Sequence, residues 1–486
     1  MALDIRLYSA HYQVELESDT DYGVRGGSLG LASRQRIFAS PWKRGYQPLV
    51  GLNDENRVME LMVRIKGSSL DNWIIAHDNI QQLLRDAELW HESEGLSGAR
   101  AIFAAQLSGM TNVTEWDVIS GDLQAGEVFR TSMYRDTTAP ILANVPLTLI
   151  CKPYGRPQAH TRSVSATIDN GDDKVILTAP SGQVATPLKL TLQSAAGDPF
   201  IRAIGGRKTK GTVSNFIWVM ECETGAFTGY TVTDVETSNL FALSNVADAA
   251  MHGGSKLRMT TDGAGTAALA PVVRWTINDN LSDFYGTYRV LIKYADLGGN
   301  AVTLGLTYGG TLGRDIANAQ TTLSNQGTGE RIADLGRMVI PHRAGPSNVA
   351  LASFLFEVRV TLVDNDSAGP YDFDCIYLIP IDEESFDLEA SATLSAQDQL
   401  ILDGLAEVSL PYIVDSTGDL QPERVTFNAP SGQRNTGSLS VEPGVDNLWC
   451  ILMLQIVTSG TGAYQVDLTD DFTATFEYYP YFHFFR

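Results

Sequence analysis

The 486-residue sequence has few cysteines, no long apolar run and no clustered histidines. Its four cysteines stand apart from one another, without a C-x-x-C pair, which argues against a zinc site or a disulfide framework. The seven histidines are scattered and lack an H-E-x-x-H spacing, so the sequence predicts no metal and no cofactor. The longest apolar stretches, such as residues 448–457, fall short of the ~20 residues of a membrane-spanning helix.

Basic side chains are also few compared with acidic ones. The chain has 35 Lys and Arg against 57 Asp and Glu, a formal net charge of −22. Because DNA binding depends on cations that neutralise phosphates, this balance argues against a sequence-specific nucleic-acid partner. The first residues lack the basic and apolar regions of a signal peptide, so we expect synthesis and folding in a cytoplasm.

Two short motifs bear on catalysis and calcium binding. Residues 26–30 match G-x-S-x-G, but the preceding run is polar and no helix follows, so a Gly-rich loop is a better interpretation than a nucleophilic Ser28. Residues 364–369 begin like a calcium loop, yet position twelve is Cys375, which favours a hairpin turn. Calcium held by Asp364, Asp366 or Asp372 is the alternative. We predict no catalytic residue, and no enzyme.

What the sequence does have is the rhythm of a mainly β protein, with β-branched and aromatic runs between Gly, Asn and Asp. Residues 58–66 alternate as a half-buried strand. Apolar residues then recur every three or four positions from Trp73 to Trp90, after an S-x-x-D start signal, and predict a helix over 71–94. Residues 100–107 and 146–153 read as further strands. Residues 1–160 are therefore predicted to form a β-domain with one packed helix.

From Arg162 onward only strands and turns are predicted. The run Ala-Pro-Ser-Gly-Gln at 179–183 recurs at 429–433. The repeat is either turn chemistry used twice or a sign that the flanking segments share one layer, interrupted by an insertion. Five strand-like runs between residues 272 and 379 support the insertion. We therefore predict a second β-domain of residues 161–215 and 386–486, split by a jelly roll or β-sandwich over 216–385.

Aromatic residues of the insertion are the candidate ligand site. Tyr285, Tyr371 and Trp275 could present flat faces to sugar rings, and the turn positions of Tyr285 and Tyr371 favour their exposure. The alternative is that they fill the core of the sandwich. The aromatic C-terminal run, residues 476–486, predicts a final strand packed in the core or against a neighbouring subunit, with the subunit interface favoured.

Together these segments resemble known families. Residues 58–66, the helix 71–94, residues 115–122 and residues 145–154 resemble the ring-forming domain of tailed-phage distal tail proteins and the related tail-tube fold. Residues 286–292 and 372–380 are similar to strands of jelly-roll carbohydrate-binding modules. The resemblance implies a tail-tube-like β-sandwich with one packed helix, followed by jelly-roll or β-sandwich domains.

The resemblance implies a structural protein of a bacteriophage tail tip, located in the virion and assembled in the host bacterial cytoplasm. Its expected partners are copies of itself in a ring, with the hexamer of such proteins as the expected number, together with the tail tube and baseplate or tail-fibre proteins. A host surface glycan is a further expected ligand, and an acidic lumen would let DNA pass. The alternative is a carbohydrate-binding adhesin without a ring role, and a third hypothesis is a glycosidase-like depolymerase.

Overall fold

The computed structural model describes most of the chain, with gaps at turns. The described residues are 4–16, 22–30, 34–38, 49–93, 97–106, 112–124, 141–157, 162–168, 174–194, 201–210, 213–234, 241–249, 251–261, 270–277, 285–297, 302–309, 315–323, 331–340, 354–362, 370–390, 394–404, 411–427, 439–456, 464–465 and 472–482.

The first part of the chain forms one antiparallel sheet and one helix. Its elements are β1 (Asp4–Tyr8), β2 (Gln13–Glu15), β3 (Tyr22–Ser28), β4 (Arg34–Phe38), β5 (Leu49–Asp54), β6 (Arg57–Gly67), α1 (Leu70–Glu92), β7 (Ala101–Gln106), β8 (Thr114–Leu123), β9 (Ile141–Cys151) and β10 (Arg156–Pro157). The strand order of this first sheet is β2-β1-β7-β8-β9-β6-β3, with β10 beside β8. Strands β4 and β5 pair separately as a hairpin.

Helix α1 covers one face of the first sheet. It begins after Ser69, whose hydroxyl accepts a hydrogen bond from the Asn72 amide at 3.2 Å, as a helix N-cap does. Trp73, Ile80 and Leu83 lie fully or almost fully buried against the inward residues of the sheet. Burial of each such side chain contributes about 1.5–3 kcal/mol, so the apolar stripe accounts for the docking of the helix. The predicted helix is confirmed, with bounds Leu70–Glu92 in place of 71–94; residue 94 lies outside the described residues.

The rest of the described chain consists of strands and short 3₁₀ turns. The strands are β11 (Arg162–Ile168), β12 (Lys174–Leu177), β13 (Thr186–Ser194), β14 (Ile201–Lys208), β15 (Val219–Glu221), β16 (Gly225–Phe227), β17 (Tyr230–Asp234), β18 (Phe241–Ala247), β19 (Ser255–Thr261), β20 (Ala270–Ile277), β21 (Gly286–Leu297), β22 (Val302–Gly309), β23 (Asp315–Leu323), β24 (Arg331–Ile340), β25 (Phe354–Leu362), β26 (Tyr371–Pro380), β27 (Glu384–Ala390), β28 (Gln399–Asp403), β29 (Tyr412–Val414), β30 (Leu420–Gln421), β31 (Val425–Phe427), β32 (Leu439–Val441), β33 (Asn447–Ile456), β34 (Tyr464–Gln465) and β35 (Phe472–Tyr478).

These strands form three further sheets. A seven-stranded sheet has the order β11-β35-β13-β28-β29-β30, with β32 beside β13. A twelve-stranded sheet has the order β18-β19-β26-β21-β24-β34-β33-β14-β27-β31, with β12 beside β33 and β15 beside β26. A six-stranded sheet has the order β16-β17-β20-β25-β22-β23. The mainly β prediction is confirmed.

Two hydrophobic cores meet at strand β33. Trp449, Ile451 and Met453 point into a core shared with the seven-stranded sheet. The alternate residues Cys450 and Leu452 point into a core shared with strands of the six-stranded sheet. Because successive side chains of a strand face opposite ways, β33 separates the two cores and contributes to both.

The predicted domain boundaries remain predictions, although two observations bear on them. Strands β13 and β32, which follow the two copies of the repeated pentapeptide, pair with each other in the seven-stranded sheet. The second copy itself, residues 429–433, lies outside the described residues. The twelve-stranded sheet contains strands from both sides of the predicted insertion boundaries, because β34 pairs with both β24 and β33. Within the described residues, no helix is long and apolar enough to cross a membrane.

Candidate assembly surface

The face of the first sheet opposite α1 is partly uncovered. On β6, Met59, Leu61, Val63 and Ile65 face the helix, so the alternate residues point away from it. Val58 is 46% exposed and Met62 38% exposed on this outward face. Both lie in register with apolar residues of β9, which continue the stripe: Val58 with Ile150, Met62 with Pro146. We call the outward face of β6 and β9 the open face.

Leu142 extends the open face at the other end of β9. It is 50% exposed and lies in register with Lys66. Arg64, between Met62 and Lys66 on this face, donates a hydrogen bond from Nε to Asn144 Oδ1 at 3.3 Å. Exposed apolar residues in a row, flanked by polar ones, are typical of a surface that contacts another protein.

The charges of the open face are mixed. Outward-facing Glu60 on β6 is followed by Arg64 and Lys66. The acidic excess of the chain is therefore not concentrated on the outward side of β6. A protein contact is compatible with such alternation, because opposite charges at the rim of an apolar patch favour one register over others.

Strand β3 ends the sheet beside β6. Strand β3 also contacts the chain at the other end of the strand order, because the Val24 amide donates a hydrogen bond to the carbonyl oxygen of Leu16, the residue directly after β2, at 2.8 Å. Gly27 is required where β3 pairs with β6, because a Cβ there would lie 2.3 Å from the Glu60 carbonyl oxygen. The predicted Gly-rich loop is thus wrong for residues 26–28, which belong to β3; Ser28 Oγ accepts a hydrogen bond from the Gly30 amide at 3.2 Å.

The other half of the outward face is covered. Here Glu115 and Asp117 of β8 lie 6% and 7% exposed under basic side chains. Arg100 binds Asp117 with both Nε and Nη2, at 2.9 and 2.8 Å. Arg156 Nε lies 3.4 Å from Glu115 Oε2, and the Tyr8 hydroxyl donates to Glu115 Oε1 at 2.6 Å. Burial alone would raise the pKa of Asp117, but Arg100, Arg156 and Lys152 hold it below its ordinary value.

The C-terminal residues complete this cover. The Tyr481 ring stacks on Tyr154 with centroids 6.3 Å apart, and the Arg156 guanidinium lies 5.2 Å from the Tyr479 ring centroid. Phe482 and Gly155 exchange two backbone hydrogen bonds. The described part of the run packs within its own chain, as the alternative of a final strand in the core predicts, and a contact with a neighbouring subunit stays a prediction; residues 483–486 lie outside the described residues.

The three sugar-stacking candidates do not form one site. Trp275 is fully buried, and its indole Nε1 donates to the Glu221 carbonyl oxygen at 2.5 Å. Tyr371 is fully buried at the start of β26, so its expected exposure is wrong. Tyr285 is half-buried, and its carbonyl oxygen accepts a hydrogen bond from Lys208 Nζ at 3.2 Å. Only Tyr285 of the three offers surface to a ligand.

Asp372, the described member of the calcium alternative, is engaged elsewhere. Arg258 binds both of its carboxylate oxygens at 2.8 Å, and Lys256 Nζ lies 3.0 Å from Oδ2. Asp364 and Asp366 lie outside the described residues. Across the part of the chain that the structure describes, no group of three or more His, Cys, Asp or Glu side chains is placed to hold a metal ion.

Comparison with known proteins gives weak structural similarity and nothing at the level of sequence. No family model and no curated protein matches the chain. Among solved structures, the phage P2 baseplate in its activated conformation with Ca is 8% identical, covering 78% of this chain and 98% of that one, with a TM-score of 0.23. The SPP1 Dit protein, described as a paradigm of hub adsorption apparatus in Gram-positive infecting phages, is 6% identical over 77% and 98%, with a TM-score of 0.25. Similarity at this level supports no statement about the present chain.

Proposed function

We propose that this protein is a structural, non-enzymatic component of a bacteriophage tail tip, and that copies of it assemble into a ring through the first sheet. The observation that carries the proposal is the asymmetry of that sheet. One face is covered by α1, whereas the opposite open face carries the exposed side chains of Val58, Met62 and Leu142. The resemblance of the same segments to ring-forming tail domains points to the same role.

Ring assembly would cover the exposed apolar face of the first sheet. An exposed apolar face invites uncontrolled association, and closed cyclic symmetry buries that face with a finite number of copies. We propose a hexamer that joins the tail tube to baseplate or tail-fibre proteins within the virion. The acidic lumen of this proposal requires carboxylates other than those on the outward side of β6, where Glu60 stands beside Arg64 and Lys66.

Glycan binding is a separate proposal, and it rests on Tyr285 alone. Trp275 and Tyr371 are buried, so they would support such a site only by packing beneath it, without touching the glycan. A carbohydrate array with the intact protein tests it, with Tyr285→Ala as the variant; binding that this substitution leaves unchanged would place the site elsewhere.

The ring is tested by the mass of the purified protein in solution, measured by light scattering over a range of concentrations and followed by negative-stain imaging. We expect rings with a central channel. Met62→Lys places a charge on the open face and should shift the population to monomers without loss of secondary structure. Leu420→Lys is the matched control, because Leu420 is 64% exposed on β30, far along the chain in a different sheet.

Three outcomes are informative. Rings in the parent and the control, but monomers in Met62→Lys, support the proposal. Rings in all three show that assembly does not use the open face. A parent that stays monomeric at every concentration, with purified tail-tube protein present as a template, overturns the ring itself.

A further inference from the structure

We propose that residues 479–482 are a clasp that fixes the orientation of the first sheet relative to the seven-stranded sheet. The proposal concerns a conformational device within one chain and does not depend on ring assembly. The first sheet shares no strand with the other large sheets described, and the chain passes from β10, which ends at Pro157, to β11, which starts at Arg162. A second attachment is therefore needed if the two parts are to move as one body.

The clasp is anchored on the seven-stranded side. Residues 479–482 directly follow β35, which pairs with both β11 and β13 along its length. The Tyr481 carbonyl oxygen accepts a hydrogen bond from the Gln183 amide at 2.9 Å. The Tyr481 amide donates to Thr186 Oγ1 at 3.2 Å. These bonds hold the backbone of the segment to the seven-stranded sheet.

On its other side, the same segment contacts the first sheet. The Gly155 amide donates to the Phe482 carbonyl oxygen at 3.1 Å, and the Phe482 amide donates to the Gly155 carbonyl oxygen at 2.9 Å. Gly155 is needed for this approach, because a Cβ there would lie 2.6 Å from Trp116 Cε2. Phe482 is itself buried, and Tyr481 stacks on Tyr154. Backbone pairing plus ring contacts on one short segment gives a defined geometry that a flexible tether lacks.

A charged cavity backs the clasp. A cavity of about 70 Å³ is lined by Glu115, Asp117, Lys152, Arg156 and Tyr481, with neighbouring residues of the 152–156 turn. Burial raises the pKa of the Tyr481 phenol, and the Asp117 carboxylate raises it further, so the ring stays neutral beside the ion pairs. The segment thus shields the ion pairs of Glu115 and Asp117 from water. Closure of the clasp is therefore linked to the packing of the first sheet.

The test measures the distance between the two parts in the full chain. Spin labels are attached through Ile75→Cys on α1 and Leu420→Cys on β30, which are 58% and 64% exposed, whereas the four native thiols are buried. Pulsed electron resonance then gives the distribution of distances between the labels. The parent should show one narrow distribution, since the clasp holds one orientation.

Two variants open the clasp from opposite sides. A chain ending at Pro480 removes Tyr481 and Phe482, and Tyr154→Ala removes the stacking partner. We expect each variant to broaden the distance distribution by about twofold or more, and the two together to broaden it no further. Tyr12→Ala, a partly exposed tyrosine of the same sheet region, is the control and should leave the width unchanged.

The proposal is overturned if the truncated chain and Tyr154→Ala both keep the narrow distribution of the parent. Circular dichroism of each variant serves as the control that it remains folded. If truncation unfolds the chain, the Tyr154→Ala result alone decides, because that substitution leaves the C-terminal backbone intact.

Discussion

Replacing Asp387 by asparagine is expected to lower the free energy of unfolding more than most single substitutions in the chain. Asp387 is fully buried on β27. Its carboxylate accepts from Arg202 Nε and Nη2 at 2.7 and 2.6 Å, and also from Arg289 Nη1. Asp387→Asn removes the negative charge that both guanidinium groups contact but keeps the volume of the side chain. Removing one partner of a buried ion pair costs about 3–5 kcal/mol.

Urea unfolding followed by tryptophan fluorescence measures this loss. With a slope of about 3 kcal/mol per molar urea, the midpoint of the unfolding transition of the twelve-stranded sheet, which contains β27, should fall by about 1–1.7 M. Asp334→Asn is the matched control: Asp334 also binds Arg289, but its side chain is 32% exposed, so we expect a loss below about 1 kcal/mol. The reasoning fails if Asp387→Asn unfolds within about 1 kcal/mol of the parent, or if the control loses as much.

Three further outcomes are expected. Leu83→Ala, under α1, should cost about 2–5 kcal/mol in denaturant unfolding, and a loss below 1 kcal/mol would contradict the packing of the helix. Because the pKa of Asp117 is held low, its contribution to stability is present above the ordinary carboxyl pKa and is lost as pH falls through the lower folded value; Asp117→Asn should flatten the acid limb of a stability–pH curve, and an unchanged limb would refute this. Burial raises the pKa of the thiols of Cys151 and Cys450, so at pH 8 they should react with a thiol reagent only in denaturant, and rapid labelling of the native protein would speak against the described cores.

Local periodicity was sufficient to predict much of the fold. The apolar spacing from Trp73 to Trp90 is set within one helix, and the alternation over residues 58–66 within one strand, so neither depends on distant partners. The strand-like runs of the insertion also became strands, β20, β21, β22, β25 and β26. These elements follow from patterns that extend over only a few residues.

The burial of β26 could not be predicted in this way. Asp372 and Asp374 alternate with apolar residues, a pattern typical of a strand with one wet face, yet all ten residues of β26 are buried. Asp372 is paired with Arg258, and Asp374 with Lys293 Nζ at 3.0 Å, both from neighbouring strands remote in sequence. The cations that compensate these carboxylates are brought close by tertiary contacts, which a local sequence pattern does not show. Tyr371 was therefore expected at the surface, although it is buried.

The open face and the clasp differ in how far sequence could reveal them. The outward residues of β6 follow directly from its alternation, so half of the open face was within reach. The clasp joins Gly155 to Phe482, across more than 300 residues, and backbone pairing leaves no side-chain pattern. The only local signal was the aromatic composition of the C-terminal run, which is equally compatible with an interface between subunits.

The position of β33 between two cores limits how this protein can be modified by recombination. Residues 216–385 do not complete their own core, because Ile204, Cys450 and Leu452 from outside that span are part of it. Excised alone, the segment would lose one wall and expose apolar surface. The core shared with the seven-stranded sheet extends from Ile168 to Tyr478, so an exchange that preserves both cores has to carry β11 to β35, residues 162–478.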